Sequence, residues 1–448
     1  MLDVRCRMYD FRLQILDLRL TINKQRCQDL RTTNNKQQTT SNNSSMAIFS
    51  RILFISFLFF NPAILISAQT DSSHLRISLL TCTPGEDLYS TFGHSALRVT
   101  DSVSNYDIVY NYGTFDFSEP GFYTKFIRGK LMYYLSTEDF DSFRDYYRGE
   151  NRGITEQVLG LTQDEKSNIK HLLQQNLQNK NRFYKYDFLF DNCTTRLRDL
   201  VEKSADSKVL YGKEVTEKKR FRQLIYEYLN YNDKQWSKLG IDLLLGSKTD
   251  AIMKTREVMF LPDYLMKTFD RTKIGNMPLV SSSKNLYTII PQNDHKSIVT
   301  NPFFIFSVLL LSILVMSFSK NNSIQKFVQG FDGFIFFITG LLGILIIFMW
   351  FGTDHLMCRN NYNLLWTWPT HTIAAFYINS RKYRAKNYFK IIAISNTILL
   401  FAWFFLPQHM NISLIPFILL LIFRSVMIGF KNKNNSVPNG KYPIYHIR

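Results

Sequence analysis

Two reactive side chains stand in local settings that suit nucleophilic catalysis. Cys193 follows Asp191 and Asn192 and leads into Thr-Thr-Arg-Leu-Arg-Asp-Leu, where Leu197, Leu200 and Val201 recur at helical spacing. Asp and Asn are strong N-cap residues, so the spacing predicts a helix with Cys193 in its first turn. Free backbone N–H groups and the positive end of the helix dipole favour thiolate there, below the ~8.5 of a free thiol. A thiolate needs a proton partner, and that partner needs an orienting group. His94 fits the role of proton partner, in Thr-Phe-Gly-His-Ser-Ala-Leu-Arg-Val at the head of a predicted strand, with Gly93 before it to allow close backbone approach. A single cysteine or histidine is more often a packing residue. The combination of a helix-start cysteine and a strand-start histidine points to catalysis. The competing thiol, Cys82, precedes a Pro-Gly turn and lacks a helix start.

The elements that must carry these groups can be read around them. Residues 74–80 alternate like a strand. Residues 95–100 and 107–112 are β-branched and aromatic runs joined by a polar stretch, which predicts a β-hairpin. A turn near 101–106 brings His94 beside residues 111–113, and Asp107 and Asn111 then share one face. Asn111, the nearer, is the expected orienter and Asp107 the second choice. Residues 138–150 and 162–180 are expected to be helical, as are 221–229 and 242–245. The piece Met259-Phe-Leu-Pro-Asp-Tyr-Leu265 is expected to be core rather than a lipid-facing surface.

Composition sets the wider frame. The chain has 448 residues, 46% hydrophobic and 15% aromatic, with a formal net charge of +18. Such a charge can signal nucleic acid. Here the basic residues after 300 lie in short segments between apolar runs, where they set membrane orientation instead. The five cysteines, Cys6, Cys27, Cys82, Cys193 and Cys358, show no paired or metal spacing, so no metal, cofactor or disulfide framework is expected. Residues 1–45 are polar and aperiodic and are expected to be disordered, an over-extended start. Met46, Arg51, an apolar run and Ile66-Ser-Ala68 read as a signal peptide over 46–68. The exported domain is then 69–300, a membrane domain 301–430 and a cytoplasmic tail 431–448. Five apolar segments, 303–319, 331–351, 363–378, 388–406 and 412–430, are the expected spans. The third is short and carries Pro369 and His371, which suits a re-entrant or deformed segment. Inside loops would hold Lys320 and Lys326, then Arg381, Lys382, Arg384 and Lys386, then the basic tail, in accord with five crossings. One outside loop, 353–366, is polar and on the same side as Cys193. His355, Asn361, Asn363 and Trp366 in it are the expected substrate contacts.

The pieces Leu80-Thr-Cys-Thr-Pro-Gly-Glu86, Phe92-Gly-His-Ser-Ala-Leu-Arg98, Val109-Tyr-Asn-Tyr-Gly-Thr-Phe-Asp-Phe117 and Asp191-Asn-Cys-Thr-Thr-Arg196 resemble the Lnb family of lipoprotein N-acyltransferases of Bacteroides-type bacteria. The resemblance covers nearly everything after residue 75. It implies an α+β, permuted papain-like (NlpC-like) exported domain, histidine before cysteine in the chain, followed by an all-α five-span transmembrane bundle. It further implies a bacterial inner-membrane enzyme with its catalytic domain in the periplasm. That enzyme would pass an acyl chain from a phospholipid through a Cys193 thioester to the α-amine of a diacylated lipoprotein. A membrane-anchored cysteine peptidase or amidase on cell-wall peptides, and a non-catalytic periplasmic binding module, are the alternatives.

Overall fold

The computed structural model describes residues 74–212, 218–231, 233–289, 301–380 and 382–430. The expected polar start, the signal segment 46–68 and the tail 431–448 lie outside the described residues.

The first half is built on a sheet. Strands β1 (Leu75–Cys82), β2 (His94–Asp101) and β3 (Tyr106–Thr114) form an antiparallel meander, of which β2 and β3 are the expected hairpin. A short helix α1 (Phe122–Ile127) leads into β4 (Met132–Asp139), helix α2 (Phe140–Gly149) and β5 (Ile154–Leu159). Helices α3 (Gln163–Leu177) and α4 (Asn179–Arg182), strand β6 (Phe183–Lys185) and helix α5 (Cys193–Ser204) follow. Next come β7 (Val209–Leu210), α6 (Phe221–Tyr231), α7 (Gln235–Leu244), α8 (Thr255–Val258) and α9 (Pro262–Asp270). Strands β8 (Lys273–Ile274), β9 (Met277–Pro278) and β10 (Val280–Tyr287) close this half. The main sheet runs β10-β5-β1-β2-β3-β4-β6, with every neighbour antiparallel.

The sheet is covered on both faces, which is why β1 is buried at every position but Arg76 rather than alternating. Ile77, Leu79, Leu97, Val99, Tyr110 and Tyr112 meet side chains of α3, α5, α6 and α9. Leu80, Cys82, Ala96 and Val109 meet Phe140, Phe143 and Tyr147 of α2. Met259, Phe260, Leu261 and Leu265 are buried in the first of these cores. Two expectations shift. The segment expected as a helix from 138 begins as the end of β4, because Asp139 caps α2 by accepting from Ser142 N–H. The strands β4, β5 and β10 carry mixed polar sequences with no clear alternation and were not expected.

The second half is helical: α10 (Pro302–Ser317), α11 (Asn322–Phe351), α12 (His371–Ala374), α13 (Tyr383–Ala402) and α14 (Leu414–Gly429). By length and composition α11 and the segment Tyr383–Phe405 suffice to cross a bilayer; α10 and α14 are shorter apolar helices. Large apolar side chains such as Val315, Phe334, Phe401 and Phe404 point outward, as hydrocarbon rather than water would allow. The segment expected as the third span is no continuous helix. It consists of a 3₁₀ turn at Tyr362–Leu365, α12, and another 3₁₀ turn at Ala375–Tyr377. Pro369 and the preceding Trp368 break the helical ladder there.

A polar seam joins the halves. Asn361 Nδ2 donates to the carbonyls of Leu243 and Leu244 at 2.8 and 3.1 Å, and Asn363 Nδ2 donates to that of Asp242 at 3.0 Å. Asn411 Nδ2 reaches Asp242 Oδ2 at 2.8 Å. The same Asp242 accepts from Arg222 Nη1 at 2.7 Å, and Arg222 Nε also meets Asp250 at 3.0 Å. All three charged groups are buried, so their mutual pairing is what makes the burial tolerable. Leu239 of α7 packs into the apolar cluster of the helical half.

Candidate active site

Helix α5 starts at Cys193, as its flanking residues predict. Asn192 is the N-cap: its Oδ1 accepts from Thr194 N–H at 2.9 Å and Thr195 N–H at 2.8 Å, and Thr195 Oγ1 accepts from Asn192 N–H. The Asn192 amide is itself fixed by donating to the carbonyls of Phe188 and Phe260. Asp191 pairs instead with Arg196, at 2.6 Å. The cap has a consequence for catalysis. Two of the helix-start N–H groups, which could otherwise hold an oxyanion, are already occupied, which leaves that of Cys193 itself.

Helix α5 packs against β2 and β3. This brings its opening turn to the head of β2, where His94 stands opposite Cys82 in the ladder. Gly93 makes the approach possible. Its φ is +79°, and a Cβ there would lie 2.6 Å from the Cys82 carbonyl. Cys193 is 8% exposed, and His94 is partly exposed. Burial pushes the Cys193 thiol up. The charge and hydrogen bond of His94, with the Thr194 hydroxyl and the Ser95 N–H, more than offset this and hold it at about 7. His94 moves the other way: burial lowers its pKa, but the Cys193 sulfur and the hydrogen bonds of Cys193 and Asn111 carry it above the ordinary imidazole value. The two shifts have opposite signs and one cause, the contact between the sulfur and the imidazole. Cys82 contrasts with this: burial pushes its thiol up to about 12, which disfavours the thiolate there.

Asn111 lies where the hairpin register puts it. Its Oδ1 is 3.2 Å from His94 Nε2, and its Nδ2 donates to Glu138 Oε1 at 2.8 Å. A carboxylate only accepts, so Glu138 turns the Asn111 oxygen toward the imidazole. With the oxygen turned this way, Asn111 accepts from a protonated Nε2. The second-choice orienter, Asp107, lies toward the other end of β3 and binds Arg98 at 2.6 and 2.7 Å. Glu138 was not expected because β4 was not recognised.

A second group that sequence reading missed is Tyr184. Its hydroxyl is buried and has no partner among the described residues. A Cβ placed on Gly113 would sit 3.5 Å from Cys193 Cβ and 3.9 Å from the Tyr184 hydroxyl, so phenol and nucleophile flank the same small gap. Arg196 Cζ lies 3.5 Å from the Tyr184 ring centroid and holds the ring in place. The alternating Tyr184-Lys-Tyr186 before Asp191 was the available signal, an aromatic in β6 and another just past its end.

The expected substrate contacts divide. His355 reaches the surface, with Nε2 3.1 Å from the Phe126 carbonyl. Asn361 and Asn363 are buried in the seam described above, and Trp366 is buried with its Nε1 on Asn363 Oδ1 at 3.1 Å. The two amides donate to the protein's own backbone and the indole to one of those amides, none toward an open face.

Two family profiles match the chain. The Lnb N-terminal periplasmic domain covers residues 65–229, and the Lnb transmembrane domain covers residues 293–435. No curated protein and no solved structure matches.

Proposed function

The chain belongs to the Lnb family, a membrane protein with a periplasmic domain, and from that premise we propose that it is a thiol-dependent lipoprotein N-acyltransferase of the bacterial inner membrane. The observation that carries the reading is the Cys193–His94 pair, a buried thiol held at about 7 beside a positioned imidazole, within a chain whose other half is apolar and helical.

In the first step the Cys193 thiolate attacks the ester carbonyl of a phospholipid acyl chain. The C–O bond to glycerol breaks, the imidazolium of His94 protonates the departing alkoxide, and a lysophospholipid leaves a thioester on Sγ. In the second, the free α-amine of a lipoprotein's lipidated N-terminal cysteine attacks the thioester. The C–S bond breaks, His94 takes the amine's proton, and the thiolate–imidazolium pair returns with an amide formed. Asn111 orients the ring through both steps. The Cys193 N–H and the Tyr184 hydroxyl stabilise the oxyanion, the phenol taking the role that the capped N–H groups cannot fill.

We read the sheet half as the permuted papain-like fold, since the histidine strand precedes the cysteine helix. We read the broken segment around Pro369 as the third of five crossings. Asn361, Asn363 and Trp366 then hold the catalytic half at a fixed height over the bilayer rather than touch substrate. Of the loop residues, His355 remains a substrate contact. The test is expression in a strain lacking its lipoprotein N-acyltransferase, followed by mass analysis of a lipoprotein N-terminus. Triacyl product with the wild type and diacyl product with Cys193→Ala are expected. Diacyl product with well-expressed wild type would sink the reading.

A further inference from the structure

A band of aromatic side chains runs from the exposed helix α1 to Cys193. It begins at α1, where Tyr123 is 74% exposed and Phe126 50%, next to Phe117 at 65%. Phe126 lies 6.2 Å from Phe122, Phe122 6.0 Å from Phe115, and Phe115 5.4 Å from Tyr133, centroid to centroid. Tyr133 stacks on Tyr186 at 4.4 Å. Tyr186 Cε2 and Cys193 Cβ lie 3.4 and 3.5 Å from the Cβ position of Gly113. The outer end of this band is fixed to the loop that leaves α11. Asp354 N–H donates to the Arg128 carbonyl at 3.0 Å, His355 meets Phe126 O, and Lys185 pairs with Asp354 at 2.9 Å. Arg128 and Lys130 beside it are exposed cations.

Large exposed aromatics beside basic residues, tied to the end of an apolar helix, have the composition of an interfacial lipid contact. A soluble domain would pay in free energy for exposing Phe117, Tyr123 and Phe126 together. We propose that α1 dips into the bilayer surface and that the aromatic band from Phe126 to Tyr186 is the acyl-chain path of the donor glycerophospholipid, with Arg128 and Lys130 at its phosphate. This rests on the acyl-transfer reading and assigns the donor its place. The band supplies continuous apolar contact, so the chain leaves the hydrocarbon without crossing water.

The test uses the full-length Cys193→Ala protein in phospholipid vesicles that contain a phospholipid with a photoactivatable acyl chain, so that binding is read without turnover. Mapping by mass spectrometry is expected to find cross-links on α1 and on Phe115, Tyr133 or Tyr186. Adding Tyr123→Asp and Phe126→Asp is expected to reduce them roughly tenfold, an effect of the size of one lost aromatic contact, while the unfolding midpoint holds. Cross-links confined to α10–α14, or a yield unchanged in the Asp variants, would overturn the path. Neither result depends on whether wild-type protein acylates a lipoprotein.

Discussion

Arg424 of α14 makes two parallel hydrogen bonds to Asp332 of α11, at 2.7 and 2.8 Å, inside the helical half. Its third nitrogen, Nη1, donates to Ser317 Oγ of α10 at 2.5 Å. One guanidinium thus joins three helices, and the fork geometry fixes their register.

Removing either charge strands the other in an apolar interior. Asp332→Ala is expected to destabilise the helical half by about 3–5 kcal/mol. The double variant Asp332→Leu with Arg424→Met is expected to recover most of that loss. Thermal unfolding in detergent measures both. Equal loss in the single and double variants would show that the pair's packing, not its charge balance, matters.

The thiol titration gives the most direct check on the site. Alkylation at the Cys193 peptide by a small soluble reagent is expected to rise with pH through an inflection near about 7. Below that pH the sulfur is protonated and slow; above it the thiolate dominates. The sulfur and the Asn111 hydrogen bond raise the pKa of His94, which favours the imidazolium beside the thiolate. His94→Ala removes the charge and hydrogen bond and leaves burial unopposed. The inflection should then climb above the ~8.5 of an ordinary thiol. A variant that titrates like wild type would show that the two groups are not coupled.

In the proposed mechanism Asn111 acts through His94, which its amide oxygen meets at 3.2 Å, so its loss has a distinct signature. Asn111→Ala is expected to lower kcat on the order of tenfold to a hundredfold. It should also raise the inflection of Cys193 alkylation, because one of the bonds that supports the imidazolium is gone. Asn111→Gln should restore part of both. A fall in kcat with an unmoved inflection would assign Asn111 to packing alone.

Tyr184 separates oxyanion stabilisation from thiol activation. Tyr184→Phe keeps the ring under Arg196 and deletes only the unpartnered hydroxyl. Acyl transfer is expected to slow on the order of a hundredfold, while the inflection of alkylation stays at wild type. If the transfer rate is unchanged, the oxyanion is held without the phenol.

The residues around Cys193 and His94 made much of this site legible. Asn192 before a helical repeat of Leu197, Leu200 and Val201 is a local signal, written within one turn of the cysteine. The hairpin register followed from where the polar stretch fell between two β-branched runs, and that alone brought Asn111 beside His94. Glu138 and Tyr184 were hidden because they reach the site from strands whose sequences, mixed or very short, do not announce themselves. The substrate role given to Asn361, Asn363 and Trp366 rested on polarity at the membrane edge, and polarity does not say whether an amide faces a ligand or a neighbouring backbone.

By itself, the sequence determined where helix α5 begins, which residue is its first, and which runs are apolar enough to leave water, because caps and hydropathy act over a few neighbouring residues. Only the tertiary structure decided that Asn192 occupies two of the N–H groups at that helix start, that the Tyr184 hydroxyl near Cys193 has no partner among the described residues, and that a row of rings leads from there to the exposed helix α1. These are contacts between segments tens of residues apart, set by how the sheet and helices pack, and nothing in a short stretch of chain encodes them.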